Sequence, residues 1–224
     1  MALKGASGAD PVDRVARGLA AALGSDSVRS CTDPEHGWEP GDVCVMARGD
    51  PSVSWLALAQ SLHQPLVVVP SGVPEEYAVR RVLVPLDGTA ESASAVQQTV
   101  DLLAGEGVEI IVLHVFHAKN VPHFWDQASH AEQAWSEEFR ARFCREHEVQ
   151  LVLRAGTPGD RLLDAAVDER ADLVVLGWSQ RHSGGHAATV RRAVAETAVP
   201  IMLVPLAKAS GPSPLSSRPK AAMS

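Results

Sequence analysis

The chain alternates between short, uninterrupted apolar runs and longer segments whose apolar residues recur at helical spacing. From residue 80 onward, five of these runs have the length of strands, and a helical segment separates each from the next. The predicted strands are 81–86, 109–116, 150–154, 172–176 and 201–204. The predicted helices are 90–104, 130–147, 159–169 and 189–197.

This pattern predicts the fold class. The apolar residues of the strands are continuous rather than alternating, which indicates that both faces of each strand are covered. Strands that alternate with helices along the chain are typical of a parallel sheet. We therefore predict an α/β domain of the doubly wound type, an open parallel sheet with helices on both sides.

A shorter version of the same pattern precedes residue 80, with helices predicted over 11–23 and 52–64 and strands over 42–46 and 66–69. Two matches link it to the later domain: Asp42-Val-Cys-Val-Met with Asp172-Leu-Val-Val-Leu, and Pro65-Leu-Val-Val-Val-Pro with Pro200-Ile-Met-Leu-Val-Pro. We interpret the segment as the back half of the same domain, its front strands lost. The alternative is that the two segments are unrelated β-α-β units that look alike. Because a half-sheet leaves edges unpaired, we expect strand 66–69 to pair with strand 201–204.

The predicted organisation follows from these boundaries. It comprises a flexible N-terminus over 1–9, a truncated half-domain over 10–72, a linker over 73–79, a complete domain over 80–206 and a tail over 207–224. The tail is rich in Ser, Pro and Lys and has no hydrophobic periodicity, so we expect it to be disordered.

Composition narrows the class of protein. The 224 residues carry a net charge of −7, which argues against nucleic-acid binding because that requires a basic surface. No apolar stretch approaches the roughly 20 residues that span a bilayer. Three cysteines without a C-x-x-C pair exclude a disulfide framework and cysteine-held zinc. We expect a cytoplasmic protein that binds neither nucleic acid nor membranes.

Ligands of open α/β sheets bind beyond the carboxyl ends of the strands. Asp87 follows the first strand of the later domain, where its carboxylate would either bond a sugar hydroxyl or cap the next helix. The fourth strand leads into a loop that contains Gly184 and Gly185, ahead of a helix predicted to begin near Thr189. Backbone amides at the start of a helix bind phosphate groups.

Four histidines lie around the loop predicted over 117–129: His114, His117, His123 and His130. None of them forms a helical His-x3-His pair, so we expect solvated loop histidines rather than a metal site. Phe124 and Trp125 in the same loop are interpreted as a lid or a hydrophobic plug. Trp135, Phe139 and Phe143 recur every four residues and predict a helix face packed on the sheet.

Several of these segments resemble a known family. The matching peptides, in the family's order and spacing, are Val82-Leu-Val-Pro-Leu-Asp-Gly-Thr, Leu113-His-Val, Gly156-Thr-Pro-Gly-Asp, Ala171-Asp-Leu-Val-Val-Leu-Gly and Val199-Pro-Ile-Met-Leu-Val. Through them, residues 80–206 resemble the universal stress protein family of adenine-nucleotide-binding-like α/β domains. The resemblance implies a Rossmann-like sheet in the order 3-2-1-4-5 and dimers or pseudo-dimers formed through the last strand.

Some family members bind ATP through the pattern G-x2-G-x9-G-[ST], from which this chain departs. Gly177 and Thr189 match the first glycine and the hydroxyl residue, whereas Gln180 and Ala188 replace the second and third glycines. Thr189 follows Gly177 by twelve positions rather than the fourteen of the pattern, and Gly184 and Gly185 are the candidates to compensate. The resemblance assigns Pro85, Leu86 and Asp87 to the adenosine side, Val115 to the base, and Gly177, Thr189 and Val190 to the loop side.

We therefore expect a stress-response protein that is not an enzyme. If it binds a ligand, ATP is the first choice, and the only metal is the magnesium that accompanies the nucleotide. A slow nucleotide hydrolase with His182 or His186 as base is one alternative, and a ligand-free interaction module whose cleft is filled by residues 124–125 is another. The expected partners are a second copy bound through the last strand or, within the chain, the half-domain, together with proteins that the sequence does not identify.

Overall fold

The computed structural model describes residues 2–3, 10–25, 27–30, 38–39, 41–87, 97, 103, 107–116, 129–143, 149–178 and 184–205. Of the predicted loop over 117–129, only Ser129 is described, and it begins a helix. The predicted tail over 207–224 lies outside the described residues. Of the predicted helix over 90–104, only residues 97 and 103 are described, and both are helical.

The described strands agree closely with the apolar runs. Their bounds are β1 Ala2–Leu3, β2 Arg29–Ser30, β3 Cys44–Ala47, β4 Leu66–Val69, β5 Arg81–Pro85, β6 Glu109–Phe116, β7 Gln150–Ala155, β8 Leu173–Trp178 and β9 Ile201–Pro205. The described helices are α1 Pro11–Ala22, α2 Trp55–Ser61, α3 Ser129–Phe143, α4 Pro158–Asp168 and α5 Gly184–Glu196.

Local chemistry sets the helix ends. Asp10 caps α1, because its carboxylate accepts a hydrogen bond from the Val12 amide at 2.9 Å, and Pro11 occupies the first turn. Helix α2 is shorter than the predicted 52–64. Ser52 is held in a turn by Asp50, whose carboxylate accepts from its amide at 2.8 Å, and Leu62 is already extended ahead of Pro65.

One sheet contains all the described strands, in the order β2-β1-β3-β4-β9-β8-β5-β6-β7. The part from β9 to β7 is the predicted doubly wound domain, with strand order 3-2-1-4-5 and parallel pairing throughout. Strand β4 pairs with β9 in antiparallel orientation, which confirms the predicted contact between strand 66–69 and strand 201–204.

The front strands of the N-terminal segment are shortened rather than lost, which corrects the sequence interpretation. Strands β1 and β2 have two residues each and pair in parallel fashion beside β3. The order β4-β3-β1-β2 therefore repeats the order β9-β8-β5-β6. Ala2–Leu3 lies within the predicted flexible N-terminus, and its pairing with β3 gives these two residues a place in the sheet.

A pseudo-twofold axis relates the two halves. The match of Pro65 with Pro200 makes Val67 equivalent to Met202, and these two residues are partners at the centre of the β4–β9 ladder. The flanking pairs, which the same equivalence exchanges, are Leu66 with Leu203 and Val68 with Ile201. Equivalent strands thus meet each other, as they would in a symmetric dimer.

Two cross-contacts obey the same symmetry. The match of the strands β3 and β8 makes Arg48 equivalent to Trp178. The Arg48 guanidinium donates to the carbonyls of Val194 and Thr197 at 3.0 and 2.8 Å, at the end of α5. The Trp178 indole donates to the carbonyl of Ala59, the equivalent of Val194, at 3.2 Å in α2. Each half therefore supplies a donor to a late carbonyl of the other half's helix.

The core lies on both faces of the sheet and is shared by the two halves. One cluster packs α1 on residues from β3, β4, β5 and β8, including Val15, Val45 and Val82. The other packs α2, α4 and α5 on the opposite face, including Leu58 and Val190. Asp172, the aspartate of the later repeat, supports the start of β5: it accepts from the amides of residues 80 and 81, both at 2.9 Å.

The predicted linker packs against the fold. Arg14 donates to the carbonyl of Val73 at 3.1 Å, and the hydroxyl of Tyr77 donates to the carbonyl of Asp172 at 2.8 Å. Burial, with Asp172 nearby, raises the pKa of Tyr77, which keeps the phenol protonated as a donor. Gly18 permits this approach, because a Cβ there would lie 2.8 Å from the carbonyl oxygen of Tyr77.

Candidate functional site

A cavity of about 480 Å³ opens at the carboxyl ends of β5, β6 and β8, between the N-terminal parts of α4 and α5. Its walls are mostly apolar, with polar groups supplied by an aspartate, two threonines and an arginine. The described lining residues are Pro85, Leu86, Asp87, Leu113, Val115, Thr157, Pro158, Gly159, Leu162, Leu176, Ala188, Thr189 and Arg192. Five residues predicted from the sequence therefore meet in one cavity: Pro85, Leu86, Asp87, Val115 and Thr189.

The wall at the end of β5 is fixed by backbone hydrogen bonds. The Leu86 amide donates to the carbonyl of Leu113 at 2.9 Å, which extends the strand pairing to the cavity edge. The carbonyl of Leu86 lies 2.9 Å from Nδ1 of His114. Asp87 follows directly and is exposed at the cavity. The next residues lie outside the described chain, so its role as a helix cap stays a prediction.

His114 is not the solvated loop histidine that the sequence suggested. It lies within β6, and its ring packs edge-on against Phe116, with centroids 4.7 Å apart, and at 5.0 Å from Phe139 on α3. Burial lowers the pKa of His114, although its contact with the Leu86 carbonyl and the charge of Asp87 act in the opposite direction. The predicted burial of Phe139 is confirmed. The side chains of Trp135 and Phe143 are not among those that the structure describes.

The start of α4 forms a second wall that the sequence analysis did not assign to the site. Thr157 is the N-cap residue and Pro158 begins the helix, so the backbone amides of its first turn lie beside the cavity. Gly156 has a φ of +138°, and a Cβ there would lie 2.8 Å from Nε of Arg161. The peptide Gly156-Thr-Pro-Gly-Asp, noted only as a family match, was the signal that marked this wall.

Arg192 is the second group that the sequence analysis missed. It lies on α5, lines the cavity and forms an ion pair with Asp160 of α4 at 2.6 Å. Its Nε also lies 3.3 Å from a carboxylate oxygen of Glu196. The guanidinium thus connects the two helices at the cavity. Its position three residues after Thr189, on the same helix face, was the available signal.

The loop side differs from the prediction. Helix α5 begins at Gly184 rather than near Thr189, so Gly184 and Gly185 form its first turn. The following Ala-Ala has high helix propensity, which favours an early start. Ala188 and Thr189 then line the cavity from the second turn.

Two predicted site residues do not reach the cavity. Val190 is fully buried and packs in the core beneath α5, because it lies on the helix face turned toward the sheet. Gly177 is not a loop residue; it lies within β8, opposite Val204 of β9. Its neighbour Leu176 lines the cavity instead.

Other candidate residues lie outside the part of the chain that the structure describes. Residues 117–128 and 179–183 are not described, and neither is the side chain of His186. Among the residues that are described, no group of three or more His, Cys, Asp or Glu side chains is arranged to hold a metal ion. A search of the same residues finds no helix that is both long enough and apolar enough to cross a membrane.

Comparison with known proteins identifies the domain that holds the cavity. The sequence model of the universal stress protein family matches residues 78–205, more than half of the chain. No curated protein matches the chain.

Solved structures extend the likeness in fold. A functionally unknown protein from Pseudomonas aeruginosa PAO1 aligns with a TM-score of 0.57 and 13% identity, over 92% of this chain and 80% of that chain. A universal stress protein from Archaeoglobus fulgidus aligns with a TM-score of 0.48 and 17% identity, over 67% of this chain and 54% of that chain. A universal stress protein in complex with cAMP aligns with a TM-score of 0.42 and 20% identity, over 58% of this chain and 98% of that chain. The first of these shows that the likeness in fold includes the N-terminal segment.

Proposed function

Because the chain belongs to the universal stress protein family, we propose that it is a cytoplasmic, non-catalytic stress-response protein that acts by binding an adenine nucleotide. ATP is the first candidate, accompanied by its own magnesium ion. The nucleotide occupies the cavity at the carboxyl ends of β5, β6 and β8. Binding then changes the surface that the protein offers to its partners.

One observation carries this proposal: five residues that the family resemblance assigned from sequence line a single cavity. The cavity volume of about 480 Å³ falls within the range of small-molecule sites, roughly 300–1,000 Å³. Leu86, Leu113 and Val115 give an apolar surface for a base. Asp87 supplies a carboxylate acceptor for ribose hydroxyls at the exposed edge of the same surface.

The phosphate end is supported by the two helices. Helix α4 begins at the cavity wall, where its free first-turn amides and its dipole favour anions, and α5 lines the cavity from its second turn. Thr157 and Thr189 add hydroxyl groups beside them. This arrangement offers phosphate partners in a chain that departs from the glycine pattern of ATP-binding relatives.

Calorimetric titration with ATP and magnesium tests the proposal, with thermal unfolding in parallel. A ligand at 100 times its Kd adds about 2.7 kcal/mol to stability. At about 2–4 °C per kcal/mol for a protein of this size, this is a rise in Tm of several degrees. Asp87→Asn should abolish the rise because it removes the charged ribose acceptor. Asp168→Asn, an exposed aspartate at the far end of α4, is the matched control.

The outcomes separate the functional alternatives. Absence of binding by the wild-type protein, with no nucleotide retained on purification, would overturn the proposal and favour the ligand-free interaction module. Release of inorganic phosphate from bound ATP would favour the hydrolase, and we expect none. Loss of binding in Asp168→Asn as well as Asp87→Asn would show that the effect is not specific to the cavity.

We also propose that the N-terminal segment takes the place of a second subunit. Both hydrogen-bonding edges of β9 are occupied within the chain, by β8 and by β4, which supports the intrachain pseudo-dimer over a homodimer formed through the last strand. Sedimentation equilibrium tests this directly. A monomer of 23.7 kDa is expected, and a stable dimer would contradict the proposal.

A further inference from the structure

Arg192 is the only cation among the described residues that line the cavity, and its charge is already partnered by carboxylates. We propose that Arg192 is the residue that selects phosphate-bearing ligands: it exchanges Asp160 for a phosphate group of the bound adenine nucleotide. This inference rests on the proposed function. To that function it adds the identity of the residue that discriminates a nucleotide from the corresponding nucleoside.

The position of Arg192 fits this role. Residues three apart on a helix share a face, so Arg192 lies on the same side of α5 as Thr189, which also lines the cavity. Long helical side chains lean toward the helix N-terminus, which here is the end beside the cavity. The guanidinium therefore extends toward Thr189 and the start of α4, where it pairs with Asp160.

Gly159 allows the arginine to cross from one helix to the other. A Cβ at position 159 would lie 3.1 Å from Cδ of Arg192, closer than ordinary van der Waals contact. With glycine there, the stem of Arg192 lies against the first turn of α4 and reaches Asp160 at 2.6 Å. The same path brings the guanidinium to the amides at the start of α4 that would share a bound phosphate.

The ion pair with Asp160 is of the kind that exchanges readily. Both side chains are 42% exposed, and water screens such pairs so that they contribute little to stability. A phosphate offers the guanidinium two charged oxygens in a geometry that matches its planar donors. Replacing a screened carboxylate with a phosphate held in the cavity strengthens the interaction.

Titration with AMP and with adenosine tests the inference, because the two ligands differ by one phosphate. Arg192→Gln should weaken AMP binding by about 10-fold or more, the loss expected for a charge-assisted hydrogen bond, and leave adenosine unchanged. Asp160→Asn should tighten AMP binding, because it removes the competing carboxylate. Arg191→Gln is the matched control, since Arg191 is the exposed neighbour on α5 and does not line the cavity.

Each other result contradicts a defined step. If Arg192→Gln weakens AMP and adenosine equally, the arginine has a structural role and the inference is wrong. Equal affinity of the wild-type protein for both ligands would also overturn it, while the proposed adenine site would stand. Absence of binding of AMP and adenosine would overturn the inference, and absence of ATP binding as well would overturn the proposed function with it. Tm values of all variants without ligand identify any that are misfolded, and Arg192→Met, which keeps the apolar stem and removes the charge, then replaces a misfolded Arg192→Gln.

Discussion

Arg48→Met is the substitution that most directly tests whether the two halves form one folding unit. Arg48 follows β3 in the N-terminal segment and donates to the carbonyls of Val194 and Thr197, at 3.0 and 2.8 Å. These carbonyls belong to the last turn of α5 and the residue after it, where helix carbonyls lack partners within the helix. Methionine keeps an apolar stem of similar length and removes only the guanidinium.

The expected loss of stability is about 2–3 kcal/mol. A hydrogen bond from a charged donor contributes about 1.5–3 kcal/mol, and a cation at a helix C-terminus adds up to about 2 kcal/mol when it is partly buried. The two bonds share one nitrogen, Nη1, so these contributions do not add in full. At about 2–4 °C per kcal/mol, Tm should fall by roughly 4–12 °C.

Urea unfolding followed by far-ultraviolet circular dichroism measures this loss, and Arg191→Met is the control. Arg191 is exposed on α5, and exposed substitutions of this kind change stability by no more than about 0.5 kcal/mol. A single transition with a lowered midpoint and an unchanged slope is expected for Arg48→Met. Two transitions, of which only the less stable one responds, would refute the argument that the halves fold as a unit. A loss no larger than that of Arg191→Met would refute the contribution of the cross-contact.

Two further predictions concern close packing and pH. Gly18→Ala should lower stability by about 1–3 kcal/mol, since overpacking against the Tyr77 carbonyl outweighs the helix propensity of alanine. Thermal unfolding measures this loss, with Gly49→Ala as the control because a Cβ at position 49 meets open space. A Gly18→Ala variant more stable than the wild-type protein would contradict the close contact. Burial lowers the pKa of His114, so its contribution to stability is complete above the unfolded value of about 6.5 and is lost as pH falls from there toward the folded pKa. His114→Gln should therefore reduce the loss of unfolding free energy between pH 7 and pH 5, whereas the exposed His63→Gln should not; equal pH dependence in the wild-type protein and His114→Gln would count against this.

The strands were predictable because their chemistry is local. Continuous apolar runs bounded by proline or charged residues marked β4, β6 and β9 at or within one residue of their observed ends. The pairing of β4 with β9, though not its antiparallel orientation, followed from the need to pair an exposed edge, combined with the repeated peptide. Strands β1 and β2 were missed because two residues carry no periodicity; β1 lies between β3 and β2, and β2 pairs with β1.

The site was predictable where it depends on the ends of strands. Pro85, Leu86 and Asp87 lie at the cavity because Pro85 ends a buried strand at the carboxyl edge of the sheet and the other two follow it. The helical side of the site was harder to predict from the sequence, because Gly184 and Gly185 were interpreted as loop although the residues after them favour a helix. As a result the register of α5 was not fixed, and the sequence analysis did not separate Arg192, which faces the cavity, from Val190, which faces the core.

The pseudo-twofold axis indicates what the N-terminal segment contributes. Its elements are most complete where they meet the other half: β3 and β4 have four residues each, whereas β1 and β2, farther from the axis, have two. The contacts that follow the symmetry, from Arg48 and Trp178, lie at this junction. A segment required for a second cavity would need a full counterpart of β5, since the end of that strand forms one wall of the described cavity. The segment instead retains the strands and helix that cover the edge of β9, so its contribution is to complete the sheet beside a domain that holds the described cavity.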